Sequence, residues 1–196
     1  MKNNYFLGKT ILVVNTGNLK KRFILQKIKK LGIKIVLLIK EKNWAQTYAD
    51  HWILADTALH NEAIGQVGKF LKENQALKID GILTFWEDDV LLTSKLTDRF
   101  NSTGISYQVA KKARNKFLFR EFCAQNNLPF IKYQIIKSKD DLENIEKYFN
   151  FPLVIKPVYG SSGAFVIKIE NQEELKESYE YLKKSLSSSI ESALTD

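Results

Sequence analysis

The strongest constraint on the fold lies between Thr10 and Ile39. Thr10–Val14 (TILVV) and Lys34–Ile39 (KIVLLI) are short β-branched, apolar runs that read as strands, the second of them buried. Between them, Asn15-Thr16-Gly17-Asn18 is turn chemistry. Leu19–Leu31 then spaces Phe23, Ile24, Ile28 and Leu31 near one face of a helix, with Gly32 as its stop. A strand, a helix and a strand within about 30 residues imply a βαβ unit with parallel strands and a right-handed crossover. The turn after the first strand lacks G-x-G-x-x-G, which removes support for a nicotinamide dinucleotide. Asn15, Thr16 and Gly17 remain candidate substrate residues, because open α/β sheets bind ligands at the carboxyl ends of their strands.

The same alternation continues. Trp52-Ile53-Leu54 is a short candidate strand. Asn61–Asn74 reads as a helix with Ile64, Val67, Phe70 and Leu71 on its apolar face, and Asp80–Phe85 reads as another buried strand. Trp86-Glu87-Asp88-Asp89 follows at once. Three acids at a strand's carboxyl end suit a cationic substrate group or an amine. They equally suit the first turn of the helix that Val90–Phe100 continues, where negative charge is favoured. The two roles are compatible, so Glu87, Asp88 and Asp89 join the candidate substrate residues.

Beyond Gly104-Ile105-Ser106 the pattern changes. Ala110–Gln125 reads as one helix with Leu118, Phe119, Phe122 and Cys123 inward, ended at Asn126–Pro129. Tyr133–Ile136 is a strand candidate, and Ser138–Phe149 a helix with Ser138 as N-cap and Asp141 three residues on. Asn171 caps a last helix with Leu175, Tyr179 and Leu182 inward. Before it, Phe151–Ile169 (FPLVIKPVYGSSGAFVIKI) reads as a hairpin: strand Leu153–Lys156, a small-residue loop Pro157–Gly163, and strand Ala164–Ile169. Side chains alternate in a strand, so Lys156 shares a face with Val154 and opposes Leu153 and Ile155. A lysine beside a Gly/Ser loop suits a phosphate: the ammonium supplies charge, and loop N–H groups can close over the oxygens. Gly160 and Gly163 permit positive φ and close approach. An ordinary hairpin with an exposed lysine would look the same. No Lys-Ser or Lys-Thr follows Gly163, so this is not a Walker loop.

Composition narrows the alternatives. With 196 residues, 44% of them hydrophobic, the chain can build one or two cored domains. No run reaches the ~20 apolar residues of a membrane span, and the apolar part of MKNNYFLGKTILVV is too short and interrupted for a signal peptide. The lone Cys123 excludes a disulfide framework, and a cytoplasmic location follows. His51 and His60 do not have metal-ligand spacing, so no metal ligand is assigned. The net charge of +8 comes from scattered lysines, densest at Lys20, Lys21, Arg22, Lys27, Lys29 and Lys30, which suit a solvated helix face. Neither nucleic acid nor membrane is expected as a partner.

The Phe151–Ile169 stretch resembles the glycine-rich loop of the ATP-grasp superfamily: a strand ending in Lys-Pro, a Gly/Ser loop, then a strand. Arg114-Asn115-Lys116, a helix and Asn127-Leu128-Pro129 resemble the family's preceding nucleotide-binding segment. Gly81–Asp89 and Tyr159–Phe165 resemble the carnosine synthase-type branch. The resemblance covers most of the chain. It implies an α/β fold in two parts: a Rossmann-like pre-ATP-grasp domain over residues 1–108, and the first α+β lobe of an ATP-grasp domain over residues 109–196. It implies an ATP-dependent carboxylate–amine ligase, acting on an amino acid or other small carboxylate and an amine through an acyl phosphate. ATP would be held by Lys116, Lys156, Gly160, Ser161, Ser162 and Gly163. The family's magnesium ligands lie downstream of this loop, so ATP and magnesium are the expected cofactors with the magnesium ligands outside these 196 residues. The chain is therefore expected to be an N-terminal portion that is inactive alone. A homodimer is compatible with this, and a non-catalytic nucleotide-binding or regulatory module is the alternative.

Overall fold

A computed structural model describes residues 5–160 and 162–188. The chain divides into two compact units, Met1–Ala110 and Lys111–Asp196.

The first unit is a four-stranded parallel sheet of β1 (Thr10–Val14), β2 (Lys34–Ile39), β3 (His51–Leu54) and β4 (Gly81–Thr84), in the order β3-β2-β1-β4. Helix α1 (Arg22–Lys30) joins β1 to β2, α2 (His60–Glu73) joins β3 to β4, and α3 (Val90–Arg99) follows β4. The strands are apolar on both faces because both faces are covered. Leu12, Val14, Val36, Leu38 and Ile82 pack on Ala63 and Val67 of α2 and on Leu92 and Leu96 of α3. Val13, Ile35 and Leu37 point the other way, onto Leu25 and Ile28 of α1. On α1, Ile28 is buried and Ile24 packs beside it as expected; Leu25 joins them, while Phe23 and Leu31 are exposed.

In the second unit, α4 (Tyr107–Arg114), which begins in the first unit, is followed by α5 (Lys116–Gln125) and α6 (Lys139–Glu143). The antiparallel pair β5 (Leu153–Ile155) and β6 (Ile167–Ile169) precedes α7 (Gln172–Ser188). Leu142, Ile145, Ile169 and Leu175 form its core, joined by Leu153, Ile155, Ile167 and Tyr179. Ser138 and Asp141 complete a reciprocal capping box at α6.

Five local expectations change. The helix read over Ala110–Gln125 is two helices, because Asn115 leaves helical geometry and its side chain accepts the Leu118 N–H at 2.9 Å as the cap of α5. On α5 Cys123 is buried, but Phe119 and Phe122 are exposed. Tyr133–Ile136 is irregular, and the helix read over Ser138–Phe149 ends at Glu143, with a 3-10 turn at Ile145–Lys147. The hairpin strands are short: Lys156 lies just past β5, and Ala164 and Phe165 belong to a turn.

The sheet core sets the stability of the first unit. Leu38 is wholly buried between β2 and the α2/α3 layer. Leu38→Ala is expected to destabilise the chain by about 2–5 kcal/mol, the range for a buried leucine cut to alanine. Chemical denaturation monitored by circular dichroism measures it.

Candidate functional site

Two groups of candidate residues lie in the two units. In the first unit, strand order reverses at β1: the chain steps from β1 to β2 to β3, then returns to place β4 on β1's free side. β1 and β4 pair in register, Val14 opposite Thr84, so the loops after them begin side by side. This is the switch point at which open α/β sheets form a ligand crevice. The structure thus brings Asn15, Thr16 and Gly17 beside Glu87, Asp88 and Asp89.

Polar bonds tie these loops together. The Thr84 hydroxyl donates to the Val14 carbonyl at 2.7 Å and accepts the Trp86 N–H at 3.0 Å. Asn15, at φ 61°, accepts the Gly17 N–H on its side-chain oxygen at 3.0 Å. Asn43, after β2, donates to the Thr16 hydroxyl at 2.8 Å, and the Trp44 indole donates to the Gly17 carbonyl at 3.3 Å. Gly17 has φ 62°, and a Cβ there would fall 2.8 Å from the Trp86 ring. Only glycine both adopts this turn and admits the indole. The Lys21 ammonium donates to the Phe85 carbonyl and lies 4.7 Å from the Trp86 ring centroid.

The three acids are not equivalent. Glu87–Asp89 forms a 3-10 turn leading into α3. Glu87 and Asp88 are exposed, whereas Asp89 turns inward and is 4% exposed. Burial pushes the Asp89 carboxyl above the usual aspartate range, against the opposing pull of hydrogen bonds from the Thr57 and Asn15 side chains. Its Oδ2 has no hydrogen-bond partner. Asp89 therefore links the ends of β1, β3 and β4, while Glu87 and Asp88 lie at the surface. Thr57, Asn43 and Trp44 were not singled out from sequence, and Lys21 was read only as part of a solvated helix face; for Thr57 and Asn43, the available signal is a polar residue soon after a strand.

In the second unit, Lys116 and the loop between β5 and β6 meet. Lys116 is the first residue of α5, where a backbone N–H has no partner inside the helix. That N–H donates to the Val158 carbonyl at 3.0 Å. The Lys116 ammonium donates to the same carbonyl at 3.4 Å and to the Gly160 carbonyl at 3.2 Å. Lys156 is exposed beside Val154 and opposite the inward Leu153 and Ile155, which is the alternation read from sequence. Gly160 (φ 137°), Ser162 (φ 55°), Gly163 (φ 75°) and Phe165 (φ 58°) all adopt positive φ. A Cβ on Gly163 would meet nothing within 4 Å, and one on Gly160 would lie 3.9 Å from the Lys116 ammonium. The loop thus has open space at Gly163 and a cation at its base, which fits a phosphate group. Ser161 lies outside the described residues.

Among the described residues no group of three or more His, Cys, Asp or Glu is placed to hold a metal ion. Among them, too, no helix is long and apolar enough to cross a membrane.

Known proteins resemble the chain in part and along its length. Residues 113–190 match the RimK-like ATP-grasp domain family. Across both units, the chain is similar in fold to a Bacillus licheniformis L-amino acid ligase (TM-score 0.76, 22% identity, 90% of this chain and 43% of that one). It is also similar to Staphylococcus aureus N5-carboxyaminoimidazole synthetase complexed with ADP (TM-score 0.73, 20% identity, 92% and 46%). In sequence it resembles formate-dependent phosphoribosylglycinamide formyltransferase of Prochlorococcus marinus strain MIT 9515 (21% identity, 97% of this chain and 48% of the relative). Human carnosine synthase 1 is similar at 22% identity over 91% of this chain and 23% of its own length. The α/β fold is like that of these ligases, and residues 113–190 resemble an ATP-grasp domain. The chain spans less than half the length of each of these relatives.

The raised Asp89 carboxyl predicts a pH dependence. A carboxyl raised in the folded state favours folding fully below its unfolded value, and that contribution is lost as pH rises through the folded value. Asp89→Asn, which keeps an acceptor for Thr57 without the buried charge, is therefore expected to raise the melting temperature at neutral pH. The gain should shrink in acid. Thermal melts across that range check it, and an equal shift at every pH would contradict the burial account.

Proposed function

We propose that this chain forms the nucleotide-phosphate-binding and substrate-admitting portion of an ATP-dependent carboxylate–amine ligase. The observation that carries this reading is the Lys116 ammonium at the base of the β5–β6 loop, 3.2 Å from the Gly160 carbonyl, with Lys156 entering the same loop. In support stand the RimK-like ATP-grasp match over residues 113–190 and the similarity in fold to a ligase of amino acids.

In this reading Lys116 and Lys156 hold the phosphates by charge-assisted hydrogen bonds, and Gly160, Ser161, Ser162 and Gly163 add backbone and hydroxyl donors. When bound, ATP supplies the phosphoryl group that activates a carboxylate, and an amine then displaces phosphate from the acyl carbon with loss of a proton. The chain's residues contribute charge and orientation, which is where catalysis of phosphoryl transfer chiefly lies. At the sheet edge, Glu87 or Asp88 orients an ammonium or amine of the substrate, and Asn15, Thr16 and Gly17 line the same edge. Magnesium would be held by residues other than those described. Weak or undetectable ATP binding and no amine-dependent hydrolysis are accordingly expected of the 196 residues alone.

Two measurements test the reading. In the complete enzyme, Lys156→Ala should weaken ATP binding by about 1.5–3 kcal/mol, the scale of a lost hydrogen bond to a charged group, with the circular dichroism spectrum unchanged. An unaltered affinity would sink the phosphate assignment. ADP release by the purified chain with ATP, magnesium and a panel of amino acids should stay at the level of a Lys156→Ala control. Substrate-dependent turnover above it would show that the chain carries the whole catalytic apparatus.

A further inference from the structure

The edge of the first unit opposite the candidate crevice carries a different surface. All four strands run parallel, so the amino ends of β1 and β2 share that edge. Tyr5–Gly8 forms a turn there, just before β1. The Lys9 N–H donates to the Phe6 carbonyl at 3.1 Å, and the Gly8 N–H to the Gly32 carbonyl at 3.1 Å. At the tip Tyr5 is 78% and Leu7 71% exposed, with Phe6 also exposed and edge-on to Tyr5. Leu7 lies against Gly32, where a Cβ would fall 2.6 Å from the Leu7 Cδ1. Leu31, beside Gly32, is exposed as well. Single exposed apolar residues are ordinary, but several gathered at one place mark a contact surface.

Cations stand beside this tip. Lys30 and Lys34 flank Gly32 and are exposed, and Lys27 is exposed one turn back on α1, its carbonyl accepting the Leu31 N–H at 3.2 Å. Among the described residues no acid pairs with these three lysines. Two acids at the same edge are already engaged, Asp80 with Lys9 at 3.0 Å and Asp50 with Lys29 at 2.8 Å. We propose that this tip docks on an anionic membrane surface: Tyr5, Phe6 and Leu7 enter the boundary between headgroups and acyl chains, and Lys27, Lys30 and Lys34 meet the lipid phosphates. Along the sequence these lysines look scattered, which is why no membrane partner is expected from it. The pairing of β1 with β2 brings them to Tyr5–Leu7, with the Lys34 N–H donating to the Lys9 carbonyl at 2.8 Å. The size of the patch favours a bilayer over a protein. A stable protein interface takes about 20–30 residues a side, and a few apolar side chains at one turn fall far short. A bilayer needs an apolar wedge with basic residues beside it, because apolar burial and attraction to anionic lipid add. Docking at the amino edge leaves the carboxyl edge, and the crevice after β1 and β4, open to solution.

Cosedimentation with lipid vesicles tests this. The 196-residue chain, without an amino-terminal tag, is expected to bind vesicles of phosphatidylcholine mixed with phosphatidylglycerol, and not vesicles of phosphatidylcholine alone. Added salt should weaken the binding. Leu7→Ser should weaken it about tenfold, the low end for re-exposing a leucine side chain, and Lys30→Gln and Lys34→Gln about fivefold each. The double variant Lys176→Gln, Lys183→Gln on α7 removes as much charge from exposed positions of the second unit and should leave binding unchanged. No binding to the anionic vesicles, or an equal loss in the α7 variant, would overturn the proposal. Because Leu7 also packs on Gly32, Leu7→Trp gives a second reading. Lipids brominated on their acyl chains should quench its fluorescence beyond any quenching of Trp44, Trp52 and Trp86 in the wild type. No added quenching would overturn insertion of the tip. Variants at Tyr5 and Leu7 that change the oligomeric state in solution but not vesicle binding would make the tip an interface between proteins and overturn the proposal.

Discussion

The parallel pairing of β1 with both β2 and β4 is the interaction on which the first unit depends. It buries Leu12, Val13 and Val14 at the centre of the sheet, and forces helices onto both faces to cover the strands. It also fixes where chemistry can occur. With Val14 in register with Thr84, the turn after β1 and the acidic turn after β4 must emerge together. Everything polar at that edge follows from keeping those loop ends satisfied: Thr84 spans the two strand ends, Asn43 holds Thr16, and Asp89 is drawn under the surface toward Asn15 and Thr57.

The second unit uses a different device. Its sheet has two strands, and a small core of Leu142, Ile145, Ile169 and Leu175 supports one face. The loop between the strands is held from outside the hairpin by Lys116, through its backbone N–H and its ammonium. An unpaired N–H at a helix start is a local requirement, and here it is met by the loop carried by β5. The same contact puts a cation where an anionic ligand would need one. Structure and proposed binding thus share a single residue.

Much of this was legible in the sequence, for identifiable reasons. The strands of the first unit are recognisable because both faces are buried, so TILVV and KIVLLI carry no polar interruption. The hairpin was legible because two apolar runs flank a stretch of Pro, Gly and Ser, which is turn chemistry. The break at Asn115 was hidden by apolar residues that keep helical spacing across it, while the deciding factor was one side chain bonding to the Leu118 N–H. Tyr133–Ile136 has strand composition, but strands exist only by pairing, and Ile136 instead packs into the second core. The inward turn of Asp89 could not be read from three consecutive acids. It follows from the tight turn at Glu87–Asp89 and from Thr57, a residue far away in the chain.

The central claim is that nucleotide phosphates lie against Lys116 and Lys156. An acyl-phosphate derivative of ATP delivers its acyl group to lysines within reach of the phosphates, and peptide mass spectrometry identifies them among the chain's many lysines. The account predicts labelling of Lys116 or Lys156 that excess ATP suppresses, above a diffuse background on the surface. Labelling that ATP does not suppress, or suppression confined to Lys20 and Lys21 at the edge of the first unit, would contradict it.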